Sequence, residues 1–349
     1  MTSTGAWGSS EGLATNSSNL GASPEVTNEQ RTESGRVLFI FLDGVGLAPA
    51  GPDNPMSSVP MPRLRDCLGG PLVLDGRGEP IGDLVFHGVD ACLGVAGVPQ
   101  SATGQTALFT GVNAPAFVGE HITAYPTRPL RELIANHSVL RRAAEAGKTV
   151  LFANAHSERF WQMVHDGDRS LSASTLTALA ADAPIPTLDD LLQGRAVLWD
   201  ITHEIANAHM GYALPQISPE LAGTRLAGLA SEYDLVLFET FLPDLAGHRR
   251  LDPAWVLPRL DGFLGVVLEN RPRDCTVVVC SDHGNLEDAR SKLHTKNPVP
   301  LLAAGPKATG FRWVGDITGV APTILETLGM GGRQAEGARQ DDTRTMQYA

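Results

Sequence analysis

Ser281-Asp282-His283-Gly284-Asn285 follows directly on Cys275-Thr276-Val277-Val278-Val279-Cys280, and His294-Thr295-Lys296-Asn297-Pro298 lies one short loop further on. The β-branched apolar run predicts a buried strand of a parallel sheet. A carboxylate and an imidazole therefore fall where a strand ends and a loop begins. In open α/β sheets that carboxyl edge is the usual place for ligands, and adjacent Asp and His suit a borderline divalent metal.

Other strands end the same way. Arg36-Val37-Leu38-Phe39-Ile40-Phe41-Leu42 is an apolar run of strand length that ends in Asp43-Gly44-Val45-Gly46. Its glycines permit a tight turn and close backbone approach. Asp234-Leu235-Val236-Leu237-Phe238-Glu239 has the same buried-strand signature and leads into Pro243-Asp244-Leu245-Ala246-Gly247-His248. Asp244 and His248 share a face if that segment is helical, although Pro243 and Gly247 are equally compatible with a loop. Between these strands, Ser101-Ala102-Thr103-Gly104-Gln105-Thr106 opens a helical pattern that Gly111 stops, which places Ser101 at a helix N-terminus.

Further elements are expected as a helix over 61–68, a strand over 84–87, one amphipathic helix over 130–146, a strand over 149–153, a helix over 253–268, a strand over 300–304 and a helix over 316–328. Residues 1–34 are rich in Ser, Thr, Gly and Asn and read as a disordered tail, and the polar 333–349 at the other end as a mobile one. The pattern loosens between 113 and 232, which is expected to be a smaller inserted domain between the core halves 35–112 and 233–332.

The 349 residues suffice for a sizeable core. A net charge of -12 argues against nucleic acid or an anionic membrane surface as partner, because both require a positive face. It leaves a small anionic substrate open, since bound cations reverse the field locally. Cys67, Cys92, Cys275 and Cys280 form no CxxC pair and read as apolar fillers in a reducing compartment. No apolar run reaches membrane-spanning length, and the N-terminal residues lack a signal-peptide pattern, so a cytoplasmic location is expected.

Asp43, Ser101, Asp244, His248, Asp282, His283 and His294 thus stand out together. Singly, each has a structural alternative such as a cap or a solvated loop residue. Jointly, so many metal-ligating side chains just beyond parallel strands point to one site. The remaining histidines, His121 and His156 among them, lack such company and are expected to be structural.

These motifs resemble the alkaline phosphatase superfamily, and within it the branch of cofactor-independent phosphoglycerate mutase and phosphopentomutase. The resemblance rests on Asp43-Gly-Val-Gly, Ser101 three before Gly104, Asp244-xxx-His248, Ser281-Asp-His-Gly-Asn285 and His294-Thr-x-Asn-Pro-Val-Pro300. It covers roughly 36–112 and 233–330 in the family's order. It implies an α/β fold, a doubly wound, mainly parallel sheet flanked by helices, with a smaller inserted cap domain. It also implies one metal held by Asp244, His248 and His294, and a second held by Asp43, Asp282, His283 and the Ser101 hydroxyl. Mn²⁺ is the expected ion, with Zn²⁺ or Mg²⁺ as alternatives suited to the same oxygen and nitrogen donors. Ser101 is the implied nucleophile, with Thr103 as its local competitor. One departure stands out: the mutases carry a histidine at the position of Gln105.

The expected activity is two-metal phosphoryl transfer, as a phosphatase or a phosphomutase, on a small phosphorylated metabolite through a phosphoserine. A phosphodiesterase or sulfatase-like hydrolase is the alternative within the enzymes, and a non-catalytic, metal-stabilised binding module the alternative outside them. Arg128, Arg131, Arg141 and Arg142 are either a clamp for a second anionic group or solvated helix faces.

Overall fold

In a computed structural model of the chain, residues 35–74 and 81–330 are described, and the two expected tails lie outside them. Six strands, β1 (Arg36–Leu42), β2 (Leu84–Val89), β3 (Val150–Phe152), β4 (Leu235–Thr240), β5 (Cys275–Ser281) and β6 (Val299–Ala304), form one sheet in the order β2-β6-β5-β1-β4-β3. β1 is central and pairs in parallel with β4 and β5, and β3 extends the parallel set beside β4. β6 alone runs against its neighbours, antiparallel to both β5 and β2. The architecture is the expected α/β class with a mainly parallel sheet.

Strand alternation divides the apolar side chains between two layers. Val37, Phe39, Phe41, Leu237 and Val278 face one way, against the Ser101–Thr110, Arg128–His137, Ala173–Ala180 and Val320–Leu325 helices. Leu38, Ile40, Leu42, Phe238 and Val279 face the other way, against the Pro62–Leu68, Pro219–Leu229 and Pro253–Asn270 helices. With both faces covered, the central strands need no polar side, which is why they read as unbroken apolar runs.

Residues 113–232 contribute β3 to the main sheet, and helices to both layers; a small separate apolar cluster joins Ala155, Leu191, Ala196, Leu198, Ala206 and Leu214. The single helix expected over 130–146 is two, Arg128–His137 and Val139–Glu145. Ser138 breaks it with extended dihedrals (φ -62°, ψ 144°), and its carbonyl accepts the Arg142 N–H of the second helix. Serine is a weak helix former, although its buried hydroxyl makes no capping hydrogen bond here. The helix expected from Asp316 is a 3-10 turn capped by Asp316 that passes into Val320–Leu325. All four cysteines are free, and no described helix is long and apolar enough to cross a membrane.

Candidate metal centre

The antiparallel return of β6 explains how residues far apart in sequence meet. The chain leaves the sheet after Ser281 and re-enters at Val299, so both ends of the intervening loop stand at the same edge. Thr295 N–H donates to the Gly284 carbonyl at 2.9 Å, closing the loop on itself. Glu287, almost fully buried, clips its interior: it accepts from the backbone of Gly46 (2.9 Å) and Asn285 (2.8 Å), from Asn297 Nδ2 (3.0 Å) and from the Thr295 hydroxyl.

The structure brings all seven singled-out side chains together. His283 Nε2 lies 3.3 Å from Asp43 Oδ1, 3.5 Å from Asp282 Oδ2 and 3.0 Å from Ser101 Oγ. His248 Nε2 lies 3.3 Å from both Asp244 Oδ1 and His294 Nε2, and His294 Nε2 is 3.9 Å from the same Asp244 oxygen. The His283 and His294 rings stack at 3.7 Å, joining the two groups. The Leu242–Gly247 segment is a short helix opened by Pro243, so Asp244 and His248 do share a face.

Close backbone approach makes this convergence possible. Gly44 has φ +73°, and a Cβ there would lie 2.8 Å from Asp244 Cα; a Cβ on Gly104 would lie 2.7 Å from the Asp282 carbonyl. Glycine at both positions lets the β1 loop and the Ser101 helix press against the ligand loops. Asn285 Nδ2 donates to Asp244 Oδ1 at 3.0 Å, and the His248 and His294 Nδ1 atoms hydrogen-bond the carbonyls of Lys292 (2.8 Å) and Pro99 (3.0 Å). Each ring nitrogen Nε2 is thereby aimed inward.

Asp43 Oδ1 and Asp282 Oδ2 are buried with no hydrogen-bond partner. Burial raises the Asp282 pKa well above the carboxylate range, against the pull of His283, and raises Asp244, with Asp43 adding to it. Burial opposes charge on His283, but Asp282 and Asp43 outweigh it and hold the imidazole up to about 10. Burial and the His283 charge push His294 down to about 4. Two sets of donor atoms, Asp43/Asp282/His283 and Asp244/His283/His294, each lie within 4.8 Å of one another. Orphaned oxygens and converging imidazoles of this kind fit divalent cations, which would replace the protons now shared among them.

Further residues support the seven, and the sequence alone does not assign Gln105 or Glu239 a part in the site. Gln105 is buried and hydrogen-bonds Asp282, so this position supports a candidate ligand. Glu239, the one acid inside an apolar strand, is buried and raised to about 8, by burial above all; it accepts from the Ser174 hydroxyl, and Asn154 brackets its backbone. Thr103 is fully buried, with its hydroxyl engaged by the Gln100 carbonyl and the Ile122 N–H. The Ile122 carbonyl accepts the N–H groups of Ala102 (3.1 Å) and Thr103 (3.4 Å), so the chain itself takes up N–H groups of the helix start. Among the other histidines, His87 bonds the Val314 carbonyl and His203 that of Pro215.

The profile of the Metalloenzyme superfamily matches residues 35–331, nearly all of the described chain. The chain belongs to that superfamily. A 2,3-bisphosphoglycerate-independent phosphoglycerate mutase from Paracoccus denitrificans is 32% identical over 124 residues, 32% of this chain and 24% of that protein. A protein of the same description from Desulforudis audaxviator is 37% identical over 128 residues, 33% of this chain and 25% of that one. The matched stretch thus spans about a quarter of those relatives' length. Among solved structures, alkaline phosphatase from the Antarctic bacterium TAB5 aligns with a TM-score of 0.44 at 13% identity over 85% of this chain and 98% of its own. Leishmania mexicana phosphoglycerate mutase aligns with a TM-score of 0.46 at 11% identity over 86% and 96%.

Proposed function

We propose that the chain is a two-metal phosphoryl-transfer enzyme, a phosphatase or phosphomutase, acting on a small phosphorylated metabolite through a phosphoserine at Ser101. The observation that carries this reading is Ser101 Oγ at 3.0 Å from His283 Nε2, beside two buried carboxylate oxygens that have no partner. Asp43, Asp282 and His283, with the Ser101 oxygen, would hold one divalent ion, and Asp244, His248 and His294 the other. Bound there, the ions would lower the pKa of the serine hydroxyl and offset charge on the phosphoryl oxygens. Mn²⁺ is favoured by the mixed oxygen and nitrogen donors.

The residues of the chain do the positioning. Ser101, at the first turn of its helix, attacks phosphorus; the P–O bond to the leaving alcohol breaks as the Ser101 O–P bond forms, and the alcohol oxygen takes up a proton. Water or a second hydroxyl of the retained substrate then receives the phosphoryl group and frees Ser101. Gln105 and Asn285 fix the carboxylates of Asp282 and Asp244 so that neither swings away. The small apolar cluster built from 155–214 would be the substrate cover on this reading.

The test is a metal-supplemented screen of the purified protein against sugar phosphates, phosphoglycerates, nucleotides and diesters, following free phosphate and isomerised product together. Turnover of monoesters that vanishes in Ser101→Ala supports the reading. Turnover of diesters alone, or none with any metal, would overturn it.

A further inference from the structure

Three of the arginines considered for a second anion clamp in the inserted stretch are engaged within it. Arg128 pairs with Glu132 and Arg141 with Glu145, both in exposed i,i+4 geometry, while Arg131 hydrogen-bonds the Pro126 carbonyl. Exposed cations without a partner among the described residues also stand on the two loops that carry the candidate ligands His248 and His294. The chain has only four lysines, and two of them, Lys292 and Lys296, stand two residues either side of His294. Both are exposed, and neither ammonium group has a hydrogen-bond or ion-pair partner among the described residues. Arg250, two residues beyond His248, is likewise exposed with its guanidinium unpaired.

Arg250 lines a cavity of about 480 Å³ between the 246–253 and 286–291 segments, together with Gly247, Arg249, Asp252, Asp288 and Ser291, and Lys292 directly follows the last of these in the chain. The two acids in its wall are already engaged. Asp252 caps the Pro253–Asn270 helix through the Ala254 N–H at 2.8 Å, and Asp288 is held by both arms of Arg290. Arg249 is fixed in the left-handed region at φ +57°, with its guanidinium on the Ala289 carbonyl, which ties one wall of the cavity to the other. Such strain in a non-glycine residue persists where the surroundings over-determine it, often at functional sites. On the far side of His294, Lys296 is near enough to Cys92 and His121 to act on the charge of both. In a chain of net charge -12, Arg250 and Lys292 are exposed cations without an acidic partner among the described residues, on the loops that carry His248 and His294, whereas Lys296 has Asp90 nearby.

We infer that this rim recognises a second phosphoryl group on the substrate, so that the enzyme acts on a phosphomonoester bearing two phosphates. The inference rests on the two-metal reading above and adds a substrate class to it. A phosphate carries close to two negative charges near neutral pH and matches several dispersed cations, whereas a lone carboxylate needs only one. Lysine serves as a mobile point charge for such a group, and Arg250 adds a planar donor fork.

The experiment measures binding by calorimetry in the metal-loaded Ser101→Ala protein, comparing fructose 1,6-bisphosphate with fructose 6-phosphate. The bisphosphate is expected to bind at least about tenfold tighter. Arg250→Ala and Lys292→Ala are each expected to shrink that ratio severalfold, with Lys292→Arg retaining it. Equal affinity for the two sugars, a ratio that the variants leave unchanged, or tighter binding of 3-phosphoglycerate than of the bisphosphate would each overturn the inference while leaving phosphoryl transfer standing. Failure of both sugars to bind would overturn the inference alone; the two-metal reading falls only if the substrate screen finds no monoester turnover with any metal.

Discussion

The two halves of the metal-ligand cluster differ in their access to water. Asp43, Asp282 and His283 are essentially buried, at 6%, 0% and 0% exposure, whereas the side chains of Asp244, His248 and His294 retain 18%, 31% and 10%. In the buried half, Asp43 and Asp282, each with one oxygen lacking a hydrogen-bond partner, hold a proton on His283; in the rim half, burial and the His283 charge push His294 down to about 4. Burial of unpaired charge is costly, so the inner half is the one that most needs a cation, and the outer half is the one that solvent and substrate reach.

The sharpest way to break this contrast is at the nucleophile that touches the inner half. Ser101→Ala is expected to lower kcat by roughly 10³-fold or more with both metals retained, as read by turnover and metal content together. Unchanged turnover would remove Ser101 from the chemistry. Next, Asp282→Ala should abolish stable binding of one ion, while His248→Ala should weaken the other by only about 10–100-fold, because water can replace an exposed ligand. Equal losses in metal titrations would erase the distinction between the halves.

Chelation tests the same point through stability. At a free metal concentration a hundredfold above Kd, a bound ion adds about 2.7 kcal/mol, so stripping the protein should lower its thermal midpoint and Mn²⁺ should restore it. Asp282→Ala should blunt the response more than His248→Ala.

His156 provides a control outside the cluster. It is largely buried among Phe152, Phe160 and Trp161, with no carboxylate beside it, and burial pushes it down to about 4 from 6.5. Folding therefore excludes a proton that the unfolded chain accepts. That contribution is fully present above pH 6.5 and is lost as pH falls towards 4, at most about 3 kcal/mol in all. Thermal midpoints taken in excess chelator should fall less steeply between pH 6.5 and 4 in His156→Phe than in the parent. A smaller effect, about 1–3 kcal/mol, is expected for Gly44→Ala, which strains φ +73° and presses a methyl group on Asp244, the seam between the halves. Denaturant midpoints would register it, and a neutral result would deny that seam its close packing.

The candidate site was unusually legible because its residues sit at the ends of apolar runs. A strand buried on both faces has no other place for a charge, so Asp43 after Leu42 and Asp282 after Ser281 announced themselves. Asp244 and His248 were visible by spacing, although helix and loop remained equal readings until the fold showed Pro243 opening a helical turn. Gln105, Glu287 and Glu239 were not legible in the same way. Their importance depends on what lies across from them, namely Asp282, the Gly46 and Thr295 segments, and Ser174, and none of these is near them in sequence except Thr295.

What the amino-acid order determines here is local: which runs are strands, which acids and imidazoles fall at their carboxyl ends, and which glycines allow a turn. Those properties follow from side-chain periodicity and backbone sterics over a few residues. Pairing belongs to the tertiary structure. Only the strand order and the reversed β6 bring the loop after β5 back beside the loops after β1 and β4. Only burial then decides that one half of the site must carry a compensated charge while the other stays open to water, because desolvation depends on everything packed around a group and not on its neighbours in sequence.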